Sequence, residues 1–135
     1  MQAKRDFSDC KTIRDRNAFA KEFLAGSKDF DQFWAQSEHY LMIAAMEYLS
    51  EHAESADPTE REIATKLGGQ TTQGLYALLA SNKNEEAMHR IFSEWEEKHP
   101  DSNACECYGV FVISCARTTA NEVVTSLLTR LQEAA

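Results

Sequence analysis

The side chains in this sequence that could bind a metal, attack a carbonyl or move a proton are four histidines, four cysteines and several adjacent carboxylates. None of His39, His52, His89 and His99 has a partner at metal-ligand spacing, and Cys105-Glu106-Cys107 is one residue shorter than the Cys-x-x-Cys knuckle that grips zinc. Cys107 and Cys115 fall on an apolar helical face, where a thiol acts as a small hydrophobe, and Cys10 reads as a surface residue. Gly68-Gly69 is followed by Gln70-Thr71 rather than Lys-Ser or Lys-Thr, so the amides and lysine that cradle a nucleotide phosphate are missing. Glu85-Glu86 and Glu96-Glu97 are neighbours in sequence and therefore point to different azimuths of a helix, which suits a solvated face better than a shared proton. No nucleophile, base and orienter can be grouped. The expectation is a chain that is not an enzyme, with no catalytic, cofactor-binding or metal-binding residue of its own.

Recognition is the remaining class of function, and charge constrains it. The formal charge is −8, from 22 acidic against 14 basic side chains, and such a field repels phosphate and anionic lipid. A basic protein surface is the better electrostatic match. The acidic fifth helix, with Glu85, Glu86, Glu94 and Glu97, is the expected partner-binding surface. A second reading is a DNA-binding module: Ile63-Ala64-Thr65-Lys66-Leu67-Gly68, a turn and a helix from Thr72 resemble the opening of a helix-turn-helix. That second helix offers Thr71, Thr72, Gln73 and Tyr76 but no lysine or arginine for phosphates.

The elements that would carry these residues read as helices throughout. At 135 residues, 43% hydrophobic and 27% charged, with two prolines and five glycines, the chain fits one globular domain, residues 1–135, with few helix breakers. Thr12 caps a first helix over Ile13, Phe19, Phe23 and Leu24 that Gly26 stops. From about Asp31 to His52 apolar residues recur every three and four positions, and Tyr40, Met42, Ile43 and Met46 extend the apolar surface to other faces. That pattern marks a central helix covered on several sides.

A third helix starts at Pro58-Thr59 with Thr59 and Glu62 as a capping box, and ends at Gly68-Gly69. A fourth spans about Thr72 to Ser81, and Asn84 caps a fifth carrying Met88, Ile91, Phe92 and Trp95, closed by Pro100. The sixth runs from about Ser102 to Cys115 with Ala104, Cys107, Tyr108, Phe111 and Val112 inward, and Thr119 with Glu122 caps a seventh. The fold class is all-α, a compact bundle of about six or seven helices around the Asp31–His52 helix. Its longest apolar stretch, near Tyr40 to Met46, falls short of the roughly 20 residues that cross a bilayer. The thiols and the lack of a signal peptide point to a reducing, cytoplasmic setting.

Two segments resemble a specific family. Asp31-Gln32-Phe33-Trp34-Ala35-Gln36-Ser37-Glu38-His39-Tyr40-Leu41 is similar to the Asp-Pro-Phe-Trp-x-x-Ser/Ala-Ala-x-x-Leu-Leu segment of type IV secretion coupling proteins of the TraG/TraD type, departing at Gln32 and, after Ser37, where a small residue is usual. His99-Pro100-Asp101-Ser102, Tyr108-Gly109-Val110-Phe111, Thr119 and Arg130-Leu131 follow that family's second signature in the same order, with a slip of about one residue around Thr118-Thr119. Both belong to the family's all-alpha domain, which is inserted into a hexameric, membrane-anchored conjugation ATPase whose nucleotide site lies in a neighbouring domain. The resemblance implies a domain of such an ATPase, facing the cytoplasm without touching the membrane, with hexamers formed by the whole parent protein. It also implies substrate recognition during DNA transfer: relaxase, other DNA-processing proteins or effectors as partners, and DNA only through the nucleoprotein complex. No cofactor is implied for this domain.

Trp34 begins the central helix and reads as a packing anchor. Trp34→Ala is expected to cost about 3–5 kcal/mol of stability, which thermal unfolding of the variant measures. An unchanged melting temperature would remove Trp34 from the core.

Overall fold

The computed structural model describes residues 6–25, 32–115 and 117–134, and at 32–35, 117–119 and 134 the backbone alone. Gly26 and the side chains of Phe33, Trp34 and Thr119, each given a role above, lie outside the described residues. Seven helices follow one another: α1 (Ile13–Ala25), α2 (Gln32–Ala53), α3 (Pro58–Leu67), α4 (Thr72–Ser81), α5 (Glu85–Lys98), α6 (Asn103–Ser114) and α7 (Arg117–Ala134). The fold is an all-helical bundle, and the only strand-like pairing among the described residues is an isolated bridge between Asp6 and Thr71. No helix among them is long and apolar enough to cross a membrane.

Helix α2 is the axis of the bundle. Residues 41–50 are buried without interruption, and α1, α3, α4, α6 and α7 all pack on this helix. A helix apolar on one stripe would leave a wet face, so the multi-sided pattern of Leu41, Met42, Ile43, Ala45, Met46 and Leu49 is what allows full enclosure. Enclosure also traps charge. Glu38 and Glu47 are buried on α2, and each carboxylate meets an arginine from an end of the chain. Arg130 of α7 donates from Nε, 3.2 Å from both oxygens of Glu38. Arg16 of α1 donates to Glu47 from Nε and, at 2.9 Å, from Nη2, while its Nη1 holds the Cys10 carbonyl at 2.8 Å. A third α2 carboxylate, Glu51, accepts from Trp95 Nε1 of α5 at 2.8 Å, from the Ser102 hydroxyl and from the Ala104 amide at 3.0 Å. Those last two donors sit at the start of α6, so Glu51 caps that helix from outside it.

Local chemistry sets the helix ends. Thr12 Oγ1 accepts from the Asp15 amide, as a threonine N-cap should. For α3 the expected Thr59–Glu62 capping box is corrected: the N-cap is Asp57, which accepts from the Thr59 amide at 2.9 Å, and Glu62 turns outward to Lys66. Proline decides this, because Pro58 suits the first helical position, where its fixed φ fits and its missing N–H is not needed. Gly68 at φ +118° and Gly69 at φ +74° then make a left-handed turn that a side chain would strain. Gly74 faces that turn, and a Cβ there would collide with the Gly69 carbonyl oxygen. Thr71, Asn84 and Ser102 cap α4, α5 and α6 through the Gly74, Ala87 and Cys105 amides. The seventh helix starts at Arg117, two residues before the expected cap, so Thr119 already lies inside it.

The inward face of α6 is also corrected. Ala104, Cys105, Tyr108 and Phe111 are buried, whereas Cys107 is half-buried and Val112 is exposed, a rotation of the stripe by about one residue. Before α1, Phe7 is fully buried beside the Phe19 ring, and its amide bonds to Gln70 O at 2.9 Å. That contact ties the leading segment to the α3–α4 turn.

Breaking one half of a buried ion pair leaves the other charge without solvent or partner. Arg16→Met or Glu47→Leu alone is therefore expected to cost about 3–5 kcal/mol, and the double variant much less than the sum. Denaturant unfolding of the four proteins tests this; additive losses would show that the pair does not act as a unit.

Candidate functional site

The start of α5, the second half of α6 and the first turns of α7 diverge around an open groove of about 680 Å³. Its volume is within the range of pockets that hold small ligands or the anchor side chains of a partner. Met88, Tyr108, Phe111 and Val124 form an apolar floor, and Glu85, Glu86, His89 and Asn121 stand at its edge. The floor is rigid: Tyr108 stacks on Phe92 at 4.3 Å with planes 5° apart, and the Glu85 amide donates to Asn121 Oδ1 at 2.8 Å, joining α5 to α7. Burial, helped by the charge of Glu85, pushes the Tyr108 hydroxyl up to about 12, so it remains a neutral donor at physiological pH.

Next to the groove, α6 turns apolar residues to solvent. Val110 and Val112 are about two-fifths exposed, and Ile113 is 87% exposed. Val112 belongs to both the groove lining and this outer face, so the two form one surface.

The four glutamates named from sequence do not gather in one place. Glu85 is half-buried at the groove edge, and Glu86 beside it is exposed with Arg90 3.8 Å away. Glu94 and Glu97 are exposed further along α5 and do not line the groove. At 1.5 Å per residue, Glu97 lies about 16 Å along the axis from Glu86. Only the first pair can act together with the apolar floor, although all four contribute to an α5 surface in which glutamates outnumber Arg90 and Lys98.

The residues tested for chemistry are dispersed. His39 bonds Asn17 Oδ1 at 3.0 Å, His52 is in the core, His89 is at the groove edge and His99 meets Glu60. Among the described residues no group of three or more histidine, cysteine or acidic side chains is placed to hold a metal ion. The four cysteines form no disulfide with one another, and the Cys115 thiol donates to the Phe111 carbonyl at 3.3 Å. Burial raises the thiols of Cys10 and Cys105 and pushes Cys107 up to about 11, which keeps them protonated and weakly nucleophilic at neutral pH.

The helix-turn-helix-like segment is folded inward. Thr71 is consumed as the α4 cap, Thr72, Gly74, Leu75, Leu78 and Leu79 are buried, and α4 packs against α2, α3 and α7. Gln73 and Ser81 are its exposed side chains. Its outer face, Gln73, Tyr76, Ala77, Ala80 and Ser81, is exposed or half-buried and carries no charge, so it offers phosphates no cation.

Sequence reasoning missed the buried carboxylates of α2 and the burial of His52. The available signal was a charged residue inside an otherwise apolar stripe, present for Glu38 and Glu47 on α2 and again for Arg16 and Arg130 on the helices that meet it. No protein-family model, curated protein or solved structure was found to match the chain.

The groove floor and the outer face of α6 are expected to separate under mutation. Phe111→Ala should cost about 3–5 kcal/mol as a core cavity, while Ile113→Ser should change stability by less than about 0.5 kcal/mol. Equal losses in chemical denaturation would mean that the outer face of α6 is part of the core.

Proposed function

We propose that the chain is the substrate-receptor domain of a conjugative type IV secretion coupling protein, which recognises relaxase, other DNA-processing proteins or effectors for transfer. The observation that carries this reading is the meeting of the two segments that resemble that family. Glu38, where the family pattern has Ala, holds Arg130 of the second, and Ser37 Oγ of the first lies 3.2 Å from the hydroxyl of Ser114, which falls between the second segment's Phe111 and Thr119. His99 and Ser102, also of the second segment, have defined roles: the His99 amide closes α5 on Trp95 O, and Ser102 caps α6. Residues that look like two scattered signatures thus support one another as a single packed unit.

In this reading the domain performs no chemistry. Nucleotide hydrolysis and hexamer formation belong to the parent ATPase, the domain works at the cytoplasmic face of the membrane without contacting it, and DNA comes only with its protein carrier. The α5–α6–α7 groove is the docking site, and its occupant is an amphipathic, basic segment of the cargo. Apolar anchors of such a segment cover Val112 and Ile113 and fill the space above Phe111, while its cations meet Glu85 and Glu86. The excess of acid along α5 and the charge of −8 accelerate encounter with a basic protein.

Titration of the cognate relaxase against the domain tests the proposal. Glu85→Lys with Glu86→Lys is expected to weaken binding by about tenfold or more, an effect that high salt erases. Glu94→Lys with Glu97→Lys should slow association and leave the dissociation rate nearly unchanged. Undiminished binding by the first double variant would remove the groove as the site. A genome in which this coding sequence shares no reading frame with an ATP-binding loop would overturn the parentage itself.

A further inference from the structure

Away from the groove, where the last turn of α2 meets the end of α5, four aromatic rings form one column. Tyr48 lies 4.1 Å from His52, His52 stacks on Trp95 at 3.6 Å, and Trp95 lies 4.0 Å from His99. α2 supplies two rings one turn apart, and α5 with its C-cap residue His99 supplies the other two, so the column is a joint between α2 and the end of α5. His52 is 1% exposed, and its Nδ1 lies 2.7 Å from the Tyr48 carbonyl oxygen. A carbonyl only accepts, so Nδ1 carries the hydrogen and the free lone pair is on Nε2, the atom that an added proton must occupy.

The groups around this ring are charged or titratable on every side. From α2 come Tyr48 and Glu51, from α3 comes Glu60, and from α5 come Trp95 and His99. Both carboxylates are already engaged. Glu51 holds Trp95 Nε1 and caps α6, and Glu60 accepts from Ser55 and pairs with His99 Nε2 at 3.0 Å. The column therefore joins the ends of α2 and α5 to the starts of α3 and α6, around an open cleft of about 770 Å³ lined by Glu51, Glu60, Trp95 and His99.

We propose that this column is a proton-operated joint, in which protonation of His52 at Nε2 separates the end of α5 from α2 and opens the corner between α5 and α6. A neutral imidazole stacks on the indole with no charge to solvate. An imidazolium there has little access to solvent, since the ring is 1% exposed, and both neighbouring carboxylates already hold other donors; a charge on His99 would repel it across the indole.

Burial lowers the His52 pKa below its ordinary value, with His99 adding to the effect and the Tyr48 carbonyl and nearby carboxylates opposing it. In the open state the ring takes a proton at the ordinary value of about 6.5. The closed joint is therefore fully favoured above that pH and loses ground as pH falls from about 6.5 toward the lowered value. The proposal does not depend on what the groove binds.

Proton titration of the histidine ring signals by NMR, with amide exchange at the corner, tests it. In the intact chain, His52 is expected to titrate below the ordinary histidine value. Protection of the Ala104 amide, corrected for intrinsic exchange, should fall as pH drops from about 7 to about 5, by at most about tenfold per pH unit for a single proton. His52→Phe keeps a stacking ring without a proton site and should hold protection constant across that range. His99→Gln removes the opposing charge, raises the closed-state value toward the ordinary one and should make the fall smaller and end at a higher pH. Protection in the wild type that is independent of pH, or a fall that persists in His52→Phe, overturns the proposal. Should His52→Phe not fold, a wild-type His52 that titrates at or above the ordinary value does the same.

Discussion

Removing the middle of α2 from water is the constraint on which the rest of the structure depends. Ten successive residues, 41–50, are enclosed, and a helix buried on all sides can keep a charged side chain only if its neighbours supply the donors that water would have supplied. Glu38, Glu47 and Glu51 meet that requirement through α7, α1 and the α5–α6 corner. Each tie has a direction as well as an attraction. The guanidinium or amide donors fit only one register of the partner helix, so the carboxylates select among the many ways in which apolar helix faces could pack.

The same constraint explains which parts of the surface are free. α1, α3, α4, α6 and α7 spend a face on covering α2, and α4 is further packed by α3 and α7, which leaves it an outer face without charge. Two glycines at positive φ and the small Gly74 opposite them bring α3 and α4 close together. α5 is held mainly by its edge contacts: Trp95 and Phe92 face the core while its glutamates remain in water. With α6 and α7 it leaves the one place described here where an apolar floor, exposed aliphatic side chains and acidic groups adjoin.

The two ends of α5 consequently do different work. Its first turn borders the groove and is fixed to α7 by one amide to Asn121, whereas its last turn is held in an aromatic column with histidines on either side of Trp95. In the proposed role as a receptor for protein cargo, the buried ion pairs of α2 belong to the scaffold and the acidic groove to the contact surface.

By itself the sequence determined the helical class, the order of the helices, the central place of α2, and the starts of α1, α4, α5 and α6. These depend on local rules: apolar spacing of three and four, a side-chain oxygen that meets an amide within the first turn, glycine where the backbone turns left-handed. The misplaced cap of α3 was a local error: with Pro58 as the first helical residue, the cap is Asp57 before it and not Thr59. What only tertiary structure decided was long-range. Arg16 finds Glu47 31 positions away and Arg130 finds Glu38 92 positions away; an apolar stripe marks each as a charge that faces inward, but no local pattern names its partner. The rotation that puts Cys105 inside and Val112 outside, the separation of Glu85 and Glu86 from Glu94 and Glu97, and the burial of His52 likewise follow from which neighbour each helix meets. Periodicity gives a helix a face; only the packed partner decides whether that face, or a charge within it, is shielded from water.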